Sequence, residues 1–133
     1  MQMKRLTNIL NESEHTEIWH DYDSESTTKI PTYFQVRPSA TMDVVSDVFF
    51  QDGKIQKFGV NGLSNEDLLT MVICRIEHLQ NSKFACHENN MVLNKLEEAL
   101  MWMNKRSLRI KSEVTSSNGK EEGTTSTKTS NVT

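Results

Sequence analysis

Gly59 to Lys111 reads GVNGLSNEDLLTMVICRIEHLQNSKFACHENNMVLNKLEEALMWMNKRSLRIK. The stretch divides into a turn, a capped helix, a break, a longer helix and a basic end. Asn61-Gly62 is the turn. Ser64 stands where its hydroxyl can accept from the Asp67 N–H while Asp67 reaches back to the Ser64 N–H, close to a capping box. Glu66 and Asp67 suit the positive end of a helix. Leu68, Leu69, Val72, Ile73, Ile76 and Leu79 then recur at three- and four-residue steps, a broad apolar face that predicts a helix to about Gln80. Asn81-Ser82-Lys83 breaks it. The second helix is expected from near Cys86–Glu88 to beyond Asn104. Leu93, Leu96, Leu100 and Met103 form a seam at coiled-coil spacing, widened by Val92 and Ala99. Met91, Met101 and Trp102 lie off that seam. A short connection between two helices predicts an antiparallel hairpin. The apolar surface is broader than one partner helix can cover, which predicts an oligomer.

Before this stretch the texture is that of strands. Tyr33-Phe34-Gln35-Val36 is a β-rich run closed by Pro38, and Val44 to Phe50 is a second. Asp52-Gly53 is a hairpin signal because both residues tolerate positive φ. Ile55-Gln56-Lys57-Phe58 alternates apolar and polar, as a half-buried strand does. The expected class is α+β: a small antiparallel β meander of about three strands, then the two-helix antiparallel hairpin, in an oligomer. Residues 31–112 form this domain. Residues 1–30 read as a partly ordered acidic N-terminal extension. It has a weak helical pattern at Leu6, Ile9 and Leu10, and Trp19 and Tyr22 are its large anchors. Residues 113–133 are Ser/Thr-rich, the composition of a disordered tail.

At 133 residues, 35% of them hydrophobic, the chain fits one domain with a modest core. A net charge of −3 argues against a general nucleic-acid binder. No run approaches a membrane span, and the first residues lack the apolar run of a signal peptide, so a cytoplasmic protein with reduced Cys74 and Cys86 is expected.

Cys74, His78, Cys86 and His87 are zinc-compatible types. There is no CxxC pair, however, and the adjacent Cys86 and His87 diverge. Packed thiols and hydrogen-bonded imidazoles are the plainer reading. GVNG follows no strand-to-helix phosphate loop pattern. Glu97 and Glu98 are adjacent and point apart, so no catalytic dyad is visible. The expectation is a non-enzyme without cofactor or metal. Two places suit anions. Glu88-Asn89-Asn90 opens the second helix, where side chains can hydrogen-bond a base or ribose beside free backbone N–H groups. Lys105, Arg106, Arg109 and Lys111 crowd the other end, as phosphate ligands or as cations complementing the helix dipole.

Several runs together resemble the phage Thoeris anti-defence and anti-CBASS sponge proteins, which share a helical-hairpin domain. The runs are Phe50-Gln51-Asp52-Gly53, Gly59 through Leu69, Arg75-Ile76, Leu79-Gln80, Phe84 through Asn89, Lys95 through Trp102 and Lys105-Arg106-Ser107. A β region ahead of the hairpin places the likeness nearer the Thoeris anti-defence branch. The resemblance implies a protein that binds immune second messengers without cleaving them: cyclic ADP-ribose isomers in Thoeris defence, cyclic oligonucleotides in CBASS. It implies dimers, or hexamers built from dimers, with pockets between protomers, in the host cytoplasm. It would place Asn89 with its neighbours Glu88 and Asn90, together with Phe84 and Leu79, around the ADP-ribose-isomer pocket. Arg106, with Lys54, would fall at phosphate-binding positions near the symmetry axis, and Lys105 and Arg109 extend that basic cluster. The family's Arg-Thr-x-x-Arg becomes Arg106-Ser107-Leu108-Arg109-Ile110 here, which turns the second cation about 100° around the helix. The competing expectation is a structural or adaptor oligomer of phage origin that uses the Met/Trp surface to hold other proteins.

Overall fold

The computed structural model describes residues 1–8, 10–11, 13–25 and 29–122. The chain divides into two units, Met1–Leu68 and Leu69–Thr133. The class is α+β, as expected, with a sheet of four antiparallel strands in the order β1-β2-β3-β4. The strands are β1 (Gln2–Leu6), β2 (Thr16–Tyr22), β3 (Tyr33–Pro38) and β4 (Ser46–Phe49).

Residues 1–30, expected to be an acidic extension with a helical start, instead supply half the sheet. The misleading signal was the Leu6, Ile9, Leu10 spacing. The pairing that decides the matter is long-range: Arg5 opposite Trp19, Lys4 opposite His20, Leu6 opposite Ile18. Directly opposed residues share a face. One face therefore carries Ile18, Phe34 and Val36, with Val48 opposite Phe34. The Phe34 ring meets Phe50 edge-on at 5.5 Å. The other face is polar and tightly knit. Arg5 pairs with Glu17 at 3.1 Å, and the Arg37 guanidinium lies over the Trp19 ring, 4.5 Å from its centroid. Arg37 donates to Gln35 Oε1, Gln35 Nε2 donates to the Tyr33 hydroxyl, and Tyr33 donates to Asp47. Asp21 is buried, and its carboxylate accepts from the backbone N–H groups of Thr32 and Tyr33 and meets Lys29 Nζ at 3.5 Å. That carboxylate ties the end of β2 to the start of β3.

Asp52-Gly53 does not make a hairpin, and Ile55–Phe58 is not a strand: it forms a short helix, α1 (Ile55–Phe58). Gly53 has φ 82, and a Cβ there would clash with the edge of the Phe58 ring at Cδ2 and Cε2. The turn thus leads into α1 rather than into a fifth strand paired with β4. The returning chain is held by side-chain amides. Gln51 Nε2 donates to the Gly53 and Gly59 carbonyls, and Gln51 Oε1 accepts the Asn61 N–H. Asn61 Oδ1 accepts the Asp52 N–H, and Asn61 Nδ2 donates to the Asp52 carbonyl. Leu63 forms a parallel bridge with Phe50 beside them.

The helix α2 (Asn65–Gln80) starts as the capping box predicts. The Ser64 N–H donates to Asp67 Oδ2 at 2.9 Å, and Ser64 Oγ accepts the Asp67 N–H at 3.0 Å. The last element, α3 (His87–Glu122), begins within the expected window. It then runs on through residues 113–122, where the composition predicts a disordered tail. Extending a formed helix costs far less than nucleating one, and an Arg109–Glu113 ion pair at 2.6 Å crosses the junction one turn apart. The remainder of that tail, 123–133, lies outside the described residues. Leu93, Leu96, Leu100 and Met103 are half-buried, as a seam should be, whereas Met101 and Trp102 remain 68% and 61% exposed. Among the described residues Ile73 is the one buried hydrophobic side chain. No helix among them is long and apolar enough to cross a membrane.

Candidate ligand-binding site

The C-terminal end of α2 carries Arg75, with His78 three and Leu79 four residues on, which stacks them on one helix face, and Ser82 follows in the turn beyond Gln80. With Cys74 and Phe84 they line an open groove of about 440 Å³ whose exposed lining is mostly apolar. Ser82 sets the far wall. Its hydroxyl donates to the Leu79 carbonyl at 2.6 Å and accepts the Phe84 N–H at 3.1 Å. That turn projects Phe84, which is 62% exposed, with Lys83 Nζ at 5.3 Å from its ring centroid. His78 Nδ1 lies 2.8 Å from the Cys74 carbonyl, which can only accept, so Nδ1 carries the proton and Nε2 is left for another partner.

The connection from α2 to α3 is closed by Gln80. Its Oε1 accepts the Cys86 N–H, and its Nε2 donates to the Cys86 carbonyl and to Asn90 Oδ1 at 2.8 Å. Asn89 Nδ2 reaches the Phe84 carbonyl at 3.4 Å. Leu79, Phe84, Asn89 and Asn90 are therefore gathered at one end of this unit, with Glu88 in the first turn of α3. The sequence alone gives no role to Gln80 or Arg75, and for His78 it offers a zinc-compatible ligand or, as the plainer reading, the hydrogen-bonded imidazole that is found. The shared helix face of Arg75, His78 and Leu79, running up to the Asn81-Ser82-Lys83 break, is the signal that points to the groove. Among the described residues no group of three or more His, Cys, Asp or Glu stands close enough to hold a metal ion.

Lys105, Arg106 and Arg109 are not brought to this end. Sixteen residues of helix separate Asn89 from Lys105, about 24 Å at 1.5 Å per residue. Lys105 Nζ lies over the Trp102 ring at 4.9 Å, and Arg109 is engaged by Glu113. Arg106 is exposed. Lys54 belongs to the N-terminal unit, just before α1, and its side chain makes no cap there.

Residues 42–107 match the family described as "Acb2/Tad1, hairpin domain". That span contains β4, the Gln51–Asn61 loop, α2 and the larger part of α3. It includes every candidate site residue except Arg109. A curated relative, "Thoeris anti-defense 1" of Bacillus phage SBSphiJ7, is 35% identical over 127 aligned positions. The alignment covers 78% of this chain and 89% of the relative, so the likeness reaches well beyond the matched domain. The capped α2, the amide-clamped linker, the domain match and this identity lead to one assignment: the chain belongs to the Thoeris anti-defence family of phage proteins.

Proposed function

We propose that this protein binds cyclic nucleotide immune second messengers and sequesters them without cleaving them, acting in the cytoplasm of the infected host. The first messenger class is the cyclic ADP-ribose isomers of Thoeris defence; the second is the cyclic oligonucleotides of CBASS. The observation that carries this reading is the cluster at the end of α2, where an apolar groove with an exposed aromatic ring adjoins the amide-bearing start of α3. A planar base can stack on such a ring, and amide side chains can read its edge or the ribose. The groove is open on one side. A second protomer supplies the missing wall in a dimer, or in a hexamer built from dimers, in which α2 and α3 form an antiparallel hairpin. Exposed Met101 and Trp102, in a chain with so little buried apolar surface of its own, support self-association. In the proposed oligomer the cations at Lys105, Arg106 and Arg109, with Lys54, serve the phosphates of a cyclic oligonucleotide.

A sponge removes one molecule per site, so it must bind tightly; nanomolar affinity corresponds to about −12 kcal/mol. Calorimetric titration against a panel of cyclic ADP-ribose isomers and cyclic oligonucleotides tests the reading. Submicromolar binding of at least one, weakened about tenfold or more in Asn89→Ala, is the expected result. An oligomer that binds none of the panel would point to the adaptor reading instead, which the exposed Met101 and Trp102 surface also fits.

A further inference from the structure

We infer that Arg75 and His78 are the polar anchors of the groove and that Arg75 holds a phosphate of the ligand. This deepens the sponge reading and rests on it. The groove has an apolar floor in Leu79 and Phe84 and a cationic rim in Arg75, and no carboxylate lines it. Lys83, above the Phe84 ring, adds a second cation beside the same wall. Among the described residues no acid pairs with Arg75, whereas Arg5 and Arg109 each have a carboxylate partner. Glu77 does not compensate it: two residues along a helix are about 200° apart, so Glu77 faces away from the groove. A guanidinium beside an apolar floor suits a ligand that joins a planar base to a phosphate, because it offers a fork of donors to phosphate oxygens and sheds water more readily than an ammonium.

His78 supplies the complementary contact. Its Nδ1–H is engaged by the Cys74 carbonyl, so in the neutral ring Nε2 can only accept. A ribose hydroxyl or an exocyclic amine of a base is the matching donor. Arg75 and His78 lie three residues apart on one helix face, with Leu79 and the Phe84 ring beside them. The arrangement takes a base on Phe84, a sugar or amine at His78 and a phosphate at Arg75. The chemical class is a nucleotide with a phosphate close to its base-bearing ribose, which a cyclic dinucleotide-sized messenger provides.

The test titrates cyclic ADP-ribose and its glycosidic isomers, with adenosine as the phosphate-free probe, into the full chain and four variants. These are Arg75→Gln, Arg75→Lys, His78→Phe and, as a control facing away, Glu77→Gln. Thermal melts establish that each variant folds. We expect Arg75→Gln to weaken the cyclic ligand by about tenfold or more and to flatten the salt dependence of binding. Arg75→Lys should recover part of the loss, and His78→Phe should weaken cyclic ligand and adenosine alike. Tight binding by the parent with no greater loss in Arg75→Gln than in Glu77→Gln would overturn the assignment of Arg75 and leave the sponge reading standing. Absence of binding of every one of these probes by the parent would overturn the assignment of Arg75 together with the cyclic ADP-ribose reading, and the sponge reading as a whole would fall if the cyclic oligonucleotides of the panel also failed to bind.

Discussion

Asn61 and Gln51 show how much a single side-chain amide can organise. Each makes hydrogen bonds through both its oxygen and its nitrogen, and together they hold the chain on either side of α1. The GVNG turn and the Phe50-Gln51-Asp52-Gly53 run are separate in sequence and adjacent in space for that reason. From the sequence, Asn61-Gly62 was legible as a turn, but its partner was not, because nothing local says that an amide ten residues away will bond to it. Tyr33 is the residue whose titration reports on the sheet. Acceptance of its hydroxyl hydrogen by Asp47 raises the Tyr33 pKa above the ordinary phenol range, and donation by Gln35 to the same oxygen works the other way. A folded pKa above the unfolded one means that the stabilisation is fully present below about pH 10 and is lost as pH rises through the raised value. The denaturant midpoint of Tyr33→Phe should therefore fall below that of the parent at neutral pH, and the gap should close in strong alkali. A gap that is constant across that range would show that the Tyr33–Asp47 bond carries no linkage.

At the scale of elements, legibility tracked the range of the interactions. The start of α2 was readable because a capping box is a four-residue affair, and both of its hydrogen bonds are present. Ser64→Ala should cost about 1 kcal/mol of stability, read from chemical denaturation, with Ser64→Thr costing much less. Equal stability of Ser64→Ala and the parent would mean that the helix start is held by its packing alone. The seam of α3 was readable for the same reason of local period. Strands β1 and β2 were not. Lys4, Arg5, Glu17 and His20 give this part of the chain a polar composition, and what orders it is cross-strand pairing: Arg5 with Glu17, Trp19 beneath Arg37, Asp21 receiving two backbone N–H groups. Ile55–Phe58 failed as a strand because its alternation also satisfies one turn of helix, and Gly53 at φ 82 turns the chain toward the helix. The extension of α3 to Glu122 was hidden by the Ser/Thr-rich composition after Lys111. Propensity is a weak guide where a long helix is already formed.

For the whole molecule, the sequence stood closer to the family than to the geometry of the site. Arg75-Ile76 and Phe84 through Asn89 carried the resemblance, whereas the groove that joins Arg75, His78, Leu79 and Phe84 needed the structure. The gathering of Asn89 and Asn90 beside Phe84 and Gln80 bears on a ligand held at the end of α2, and the distant cations of α3 bear on a second kind of anion. Both belong to the proposed account, in which this member of the Thoeris anti-defence family removes signalling nucleotides by holding them in an oligomer. The most direct measurement mixes the protein with a cyclic ADP-ribose isomer, removes unbound ligand, denatures the protein by heat and identifies what is released by mass spectrometry. The account predicts intact isomer, recovered in a fixed ratio to protein. Release of a cleaved product, or no retained ligand at all, would contradict it.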